Sequence, residues 1–202
     1  MRRNVAADVI TITLPAAGAG GGSLDAGNAA ASTVYNVFAV ADADATTFTG
    51  ICSTATPAVG PAGVTYFRYL GSFYNNSADN IEPFYWSGNG STCKVNFNDV
   101  HSNTEVRVLN AGAQAAFTAV TCSMLPTTTT TASLELNNAG ASAECYIRTT
   151  GGTATNGIRI YQLTNVIMFH IADVALNTLQ QFDYKIDASA VTIYVKDYTF
   201  TR

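Results

Sequence analysis

Short segments in which apolar and polar residues alternate recur along most of this chain, and they constrain its fold more than any other feature. The clearest pair lies near the C-terminus, where Phe182, Tyr184 and Ile186 alternate with charged residues and a second segment runs from Val191 to Lys196. Because successive side chains of a strand point to opposite faces, the alternation predicts two half-buried strands. The short link between them predicts a hairpin.

The same alternation predicts a succession of strands separated by turn residues. The predicted strands are 9–14, 33–40, 46–52, 66–74, 81–86, 94–97, 105–109, 117–122, 133–137, 145–149, 158–163, 182–187 and 191–196. Weak helical signals are confined to 111–116 and 174–180, and the threonine tract 127–131 fits either an edge strand or a connector. The sequence therefore predicts an all-β protein, a sandwich or a barrel. An antiparallel β-sandwich of jelly-roll-like layout is the favoured fold.

The length of 202 residues fits one all-β domain. We expect residues 1–23 to form an N-terminal arm with the first strand and a flexible glycine-rich joint. We expect 24–202 to form the sandwich, either as one unit or as two subdomains with a connector near 122–132. Arg2 and Arg3 are the one clustered basic pair, and they fit a docking arm or a solvated terminus better than a targeting signal.

Charged residues make up only 12% of the chain, and the net charge is −4. A surface this poor in charge repels other copies weakly and is covered at little desolvation cost, which favours an oligomer or a larger assembly. Adaptation of the chain to its own solvent is an equal alternative. No basic patch suggests nucleic acid as a partner, and no segment approaches the ~20 apolar residues of a membrane span.

The four cysteines have wide, irregular spacings without a CxxC pair; they are Cys52, Cys93, Cys122 and Cys145. An even number permits two disulfides, but a chain of this length does not need them. A zinc site would require short paired spacings. Free, buried thiols in a protein made in a reducing cytoplasm are the favoured interpretation.

Residues typical of catalytic or metal sites are scarce. His101 and His170 are far apart in sequence, and each is interpreted as structural; Asp42 and Asp44 fit a solvated turn better than a calcium loop. Glycoside hydrolysis would require two carboxylates across a cleft. The glutamates that could supply them are Glu82, Glu105, Glu135 and Glu144. We expect a protein that is not an enzyme and carries no cofactor or metal.

Eight aromatic residues fall within the 21 residues 66–86. Alternation would place about half of them in the core, while the others would line a subunit interface or stack on the faces of sugar rings. Tyr74, Tyr85 and Trp86 are the candidate ligand or interface aromatics. Trp86, directly before the turn 87–90, is the best candidate for an exposed ring.

Several segments resemble a module common in tail-fibre and other virion proteins of tailed phages. They are Leu24-Asp25-Ala26-Gly27, 31–40 (ASTVYNVFAV), Ala55-Thr56-Pro57, Gly63-Val64-Thr65-Tyr66, 68–73 (RYLGSF), 78–84 (ADNIEPF), Leu125-Pro126-Thr127-Thr128, Cys145-Tyr146-Ile147-Arg148 and the closing hairpin 182–195. The resemblance covers most of the chain from about Leu24. It departs from the module at Val34, where the family often has Trp, at Arg68, which stands alone for a basic pair, and at Pro61, a displaced proline.

The resemblance implies a β-sandwich, frequent assembly as a homotrimer, and a non-enzymatic structural role on the virion surface after assembly in the host cytoplasm. A capsid decoration or head-fibre protein is slightly favoured, because the chain starts almost directly with its first strand and lacks a stalk. A tail-fibre or receptor-binding tip that recognises a host surface glycan is the alternative, and a stand-alone carbohydrate-binding module is the third. The expected partners are other copies of the chain and major capsid or tail proteins.

Overall fold

The secondary structure of the described residues is entirely β. A computed structural model describes residues 11–16, 18, 20–44, 48–88, 91–98, 100, 103–138, 143–152, 158–162, 168–187 and 190–202, and none of them is helical. All pairs between the described strands are antiparallel, whereas one isolated bridge, between Leu24 and Cys52, is parallel. No helix long and apolar enough to cross a membrane is found in these ranges. The prediction of an all-β, antiparallel fold is confirmed.

The chain divides into two compact units, Met1–Asn80 and Ile81–Arg202. Unit 1 contains β1 (Thr33–Ala41), β2 (Phe48–Ser53) and β3 (Tyr66–Asn75). These form a three-stranded sheet in the order β2-β1-β3, so β3 lies at one edge of the described sheet. Residues 122–132, the predicted connector between subdomains, lie within unit 2.

Unit 2 contains two antiparallel sheets in a β-sandwich-like arrangement. Its strands are β4 (Phe84–Ser87), β5 (Thr92–Phe97), β6 (Arg107–Gly112), β7 (Thr118–Thr121), β8 (Thr129–Asn138), β9 (Ala143–Thr149), β10 (Ile158–Gln162), β11 (Met168–Ala175), β12 (Gln181–Ile186) and β13 (Val191–Thr201). One sheet has the order β10-β9-β12-β7. The other has the order β11-β8-β13-β5-β4, with β6 also paired to β13.

Three sequence predictions differ from the structure at the level of single segments. Residues 11–14 of the predicted first strand are not in a strand, although Thr13 and Ser23 are joined by hydrogen bonds. The threonine tract enters β8, which lies between β11 and β13 and is therefore internal to its sheet. The segments 111–116 and 174–180, which have weak helical signals, contain the ends of β6 and β11. The strand pairing of the whole sheet overrides a weak local preference for helix.

The predicted C-terminal hairpin is wrong in its pairing, although both of its strands are present. β12 pairs with β7 and β9, whereas β13 pairs with β5, β6 and β8 in the other sheet. Two strands that face each other across a sandwich core bury one face each, just as two strands of one hairpin do. The alternation therefore predicts the strands but does not distinguish these two connections.

A β-bulge in β13 shifts which of its alternate residues face the core. Val195 pairs with Leu134 and Asp197 pairs with Ser133, so Lys196 is an extra residue with no counterpart on β8. Such an insertion shifts the alternation by one position. The fully buried apolar residues of β13 are accordingly Val191, Ile193 and Val195 before the bulge and Tyr198 and Phe200 after it.

The sheet of unit 1 buries polar side chains along with aromatic ones. Asn36 donates from Nδ2 to the carbonyl of Ala55 (2.8 Å) and accepts at Oδ1 from the Ser72 hydroxyl (2.6 Å). The Tyr69 hydroxyl lies 2.7 Å from the Ser72 oxygen. Because buried polar groups are costly only when unpaired, this chain of hydrogen bonds lets β1 and β3 carry polar residues in the interior.

Gly60 lies where a side chain cannot fit. Its φ of +74° is in the left-handed region, and a Cβ atom built on it would lie 2.3 Å from the Phe67 ring. That ring meets the buried Phe38 ring edge-on at a centroid distance of 5.7 Å. Gly63 has a similar φ of +71°, but a Cβ atom there would meet nothing within 4 Å.

These two glycines give a matched test of packing in unit 1. Gly63→Ala should lower the free energy of unfolding by about 1 kcal/mol, the cost of a left-handed alanine. Gly60→Ala should cost about 1–3 kcal/mol more, because it also displaces the Phe67 ring. Urea unfolding followed by circular dichroism measures both, and equal losses would contradict the packing described.

Candidate functional site

The two predicted aromatics of unit 2 lie on an exposed strand. β4 ends the described six-stranded sheet, and it carries Tyr85, which is 57% exposed, and Trp86, which is 39% exposed. Trp86 pairs with Val95 and Tyr85 with Asn96. Because neighbouring residues of a strand point to opposite faces, the two rings are presented on the two faces of one sheet edge.

The Trp86 ring is held in place by the C-terminal residue. The Arg202 guanidinium lies 5.1 Å from the Trp86 ring centroid, within the range of a cation–π interaction. The Arg202 amide donates to the carbonyl of Ser91 at 2.8 Å, which anchors the end of β13 beside the start of β5. Together these contacts order a ring that is still more than one third exposed, which lowers the entropy cost of binding a partner there.

The remaining predicted site residues are less accessible or lie outside the described part of the chain. Tyr74 belongs to β3 in unit 1 and is only 9% exposed, so its ring offers little surface to a ligand. Arg2 and Arg3, the predicted docking arm, lie outside the described residues, as does His101. His170 lies in β11. The structure thus places Tyr85 and Trp86 on opposite faces of β4, with Tyr74 on a strand of the other unit.

The alternation of β3 held a signal for one exposed aromatic that the sequence prediction missed. Tyr66 was not among the candidate ligand or interface aromatics, but it is 54% exposed. Tyr66 is two residues before Arg68, so the two side chains share one face of the strand. A solvated arginine at that position therefore predicts a solvated ring at Tyr66.

Several carboxylates in unit 2 have structural partners. Glu82 is buried and accepts a hydrogen bond from the Asn103 amide at 2.6 Å. Glu144 pairs with Arg159 and accepts from the Tyr146 hydroxyl.

Two aspartates in the same unit form ion pairs, Asp183 with Arg148 at 3.1 Å and Asp197 with Lys94 at 3.0 Å. Among the described side chains, no group of three or more His, Cys, Asp or Glu residues is placed to hold a metal ion.

All four cysteines are buried as free thiols. Burial raises the pKa of Cys122 from its ordinary value of 9.0 to about 12. Burial, with a smaller contribution from the nearby Asp187 carboxylate, also raises the pKa of Cys145 to about 12. For Cys52, burial outweighs a backbone hydrogen bond and raises the pKa to about 11. Such thiols are weak nucleophiles, since the thiolate is the reactive form.

The raised thiol pKa values make stability depend on pH. The free energy of unfolding should fall as the pH rises above about 9, because the unfolded chain loses thiol protons that the folded chain keeps. Cys122→Ala should make this fall shallower by up to about 1.4 kcal/mol per pH unit. Urea unfolding at a series of pH values measures the slope.

The control for this experiment is Val120→Ala, which removes buried volume from the neighbouring β7 without removing a titrating group. It should lower the free energy of unfolding at every pH and leave the slope unchanged. Identical slopes for the original chain and for Cys122→Ala would contradict the raised pKa of this thiol.

No family model matches this chain, and no curated protein matches it either. Any function assigned to the chain therefore rests on its own residues and on the geometry described above.

Proposed function

We propose that the chain is a non-enzymatic structural protein on the surface of a tailed-phage particle, with a capsid decoration or head-fibre role favoured. The observation that carries the proposal concerns the segments that resemble the module of tailed-phage virion proteins. Residues of these segments hold turns and strands together. The Asp25 carboxylate accepts from the Ser53 hydroxyl at 2.7 Å and from the Ala62 amide at 2.8 Å. One side chain thus joins three segments of unit 1, which is a structural use of that motif.

The composition of the surface supports a role in assembly. Large apolar side chains are exposed at Phe48, Val59, Tyr66, Ile81, Tyr85, Trp86, Ile158, Ile171 and Leu179. With only 12% charged residues, few strongly hydrated groups would have to lose water when a neighbour covers these side chains. Aromatic residues at the centre of protein interfaces contribute a large share of binding energy, which favours Tyr85 and Trp86 as contacts.

We propose a jelly-roll-like sandwich that assembles as a homotrimer, with Arg2 and Arg3 in an arm that docks onto a major capsid or tail protein. A tail-fibre or receptor-binding tip that recognises a host glycan is the second candidate. The exposed rings favour it, since aromatic faces bind the apolar faces of sugars. A stand-alone carbohydrate-binding module would use the same rings.

The number of copies per particle separates these functions. A decoration protein should be present in purified particles at a copy number comparable with that of the major capsid protein. A tip should be present at a small fraction of it. Quantitative mass spectrometry of purified particles measures the ratio, and absence of the chain from particles would contradict both virion roles.

Assembly gives a second test. The purified chain should have a native mass three times 21.2 kDa. If it decorates capsids, adding it to undecorated shells should raise their melting temperature in a concentration-dependent way, because a ligand of the assembled state stabilises that state by mass action. A monomeric mass would contradict the trimer, and an unchanged melting temperature would contradict the decoration role.

A further inference from the structure

The outer edge of β4 is an exposed strand edge. Among the described strands β4 has one neighbour, β5, and its residues Tyr85, Trp86 and Ser87 are all exposed. The backbone groups on such an edge form a template on which a further strand can add. β4 is therefore a surface for pairing with another extended chain.

A hydrogen bond at the start of β4 fixes which of its residues point their backbone groups outward. The Asn98 amide donates to the Pro83 carbonyl at 3.1 Å. Bonded and non-bonded pairs alternate along an antiparallel ladder, so the next residue that bonds to β5 is Tyr85, opposite Asn96. The N–H and C=O groups of Phe84 and Trp86 therefore point away from β5.

The other side of β5 gives the same alternation. The Arg202 amide donates to the Ser91 carbonyl at 2.8 Å, so the odd-numbered residues of β5 bond to β13. The even-numbered residues of β5, Asn96 among them, are left to bond to β4. Two separate hydrogen bonds thus agree that Tyr85 faces β5 and Trp86 faces outward.

The outward groups of β4 are complementary to those of a second copy of β4. With Tyr85 opposite Tyr85 of the second copy, Phe84 and Trp86 form two bonded pairs with four hydrogen bonds in all. Each pair also sets an indole beside a phenyl ring, a favourable cross-strand contact. No residue of β4 is charged, so two copies do not repel each other. Pro83 does not guard the edge, because its position faces β5.

We propose that β4 pairs with β4 of a second copy of this chain about a two-fold axis at Tyr85, which joins the two sheets into one. Because only four residues a side take part, we expect a dissociation constant on the order of 0.1 mM, which matters where many copies are held together. A two-fold contact cannot close a threefold ring, so it adds to the proposed trimer. The pairing does not depend on whether the chain is a virion protein.

A charge-swap experiment on the full-length chain tests the pairing. The mass measured by sedimentation should rise with concentration between about 10 µM and about 1 mM. Tyr85→Lys and Tyr85→Glu should each block the rise, because like charges then face each other across the axis, and an equimolar mixture of the two should restore it. Tyr66→Lys, at an exposed tyrosine of unit 1, is the matched control and should leave the rise unchanged.

Hydrogen exchange of the original chain shows whether the backbone takes part. The amides of Phe84 and Trp86 should exchange about threefold slower or more at the highest concentration than at the lowest, and the Tyr85 amide should change less. A mass that does not depend on concentration would overturn the proposal. So would a mixture that associates no better than either variant alone, or slower exchange at Tyr85 without any at Phe84 and Trp86.

Discussion

The pairing of β13 on both of its sides is the constraint on which the larger unit depends. This strand pairs with β8 along one side, and with β6 and then β5 along the other. Backbone amides and carbonyls that are removed from water must find partners, and an internal strand satisfies them only while both neighbours keep their register. A slip of one residue would turn Ile193 and Val195 away from the core. The bulge at Lys196 allows the strand to keep this pairing and the same buried face while the buried positions change from odd-numbered to even-numbered residues.

This arrangement separates a buried interior from exposed edges. Fully buried side chains of both sheets, such as Phe182 and Ile147 in one and Leu134 and Ile193 in the other, each contribute roughly 1.5–3 kcal/mol through burial. The sheet edges carry exposed apolar residues instead, Tyr85 and Trp86 on β4 among them. Because the core of unit 2 is buried by the unit's own side chains, an exposed edge can contact a neighbour while the fold stays intact. This is consistent with the structural role proposed.

The sequence predicts the strands well, because a strand with one buried face has apolar and polar residues in alternation, and this alternation is visible in the sequence. β1, β3, β9 and β12 lie within one or two residues of their predicted bounds. β11 was not predicted, since its apolar run contains His170 and Asp173 and its end has a weak helical signal. Pairing was predictable only in part: β12 and β13 have the alternation of a hairpin but belong to different sheets. Contacts between distant segments decide this, and local patterns do not contain them.

The same limit applies to the candidate sites. Trp86 was predicted to be exposed because a turn follows it, whereas the burial of Tyr74 and the exposure of Tyr66 depend on which end of β3 is covered.

The central claim, that β13 holds the larger unit together, is tested most directly by native-state hydrogen exchange resolved to single amides. The amides of Ile193, Val195 and Tyr198 should exchange only through global unfolding, and those of β4 should exchange much faster. Exchange of the β13 amides at the rate of the β4 amides would contradict this account.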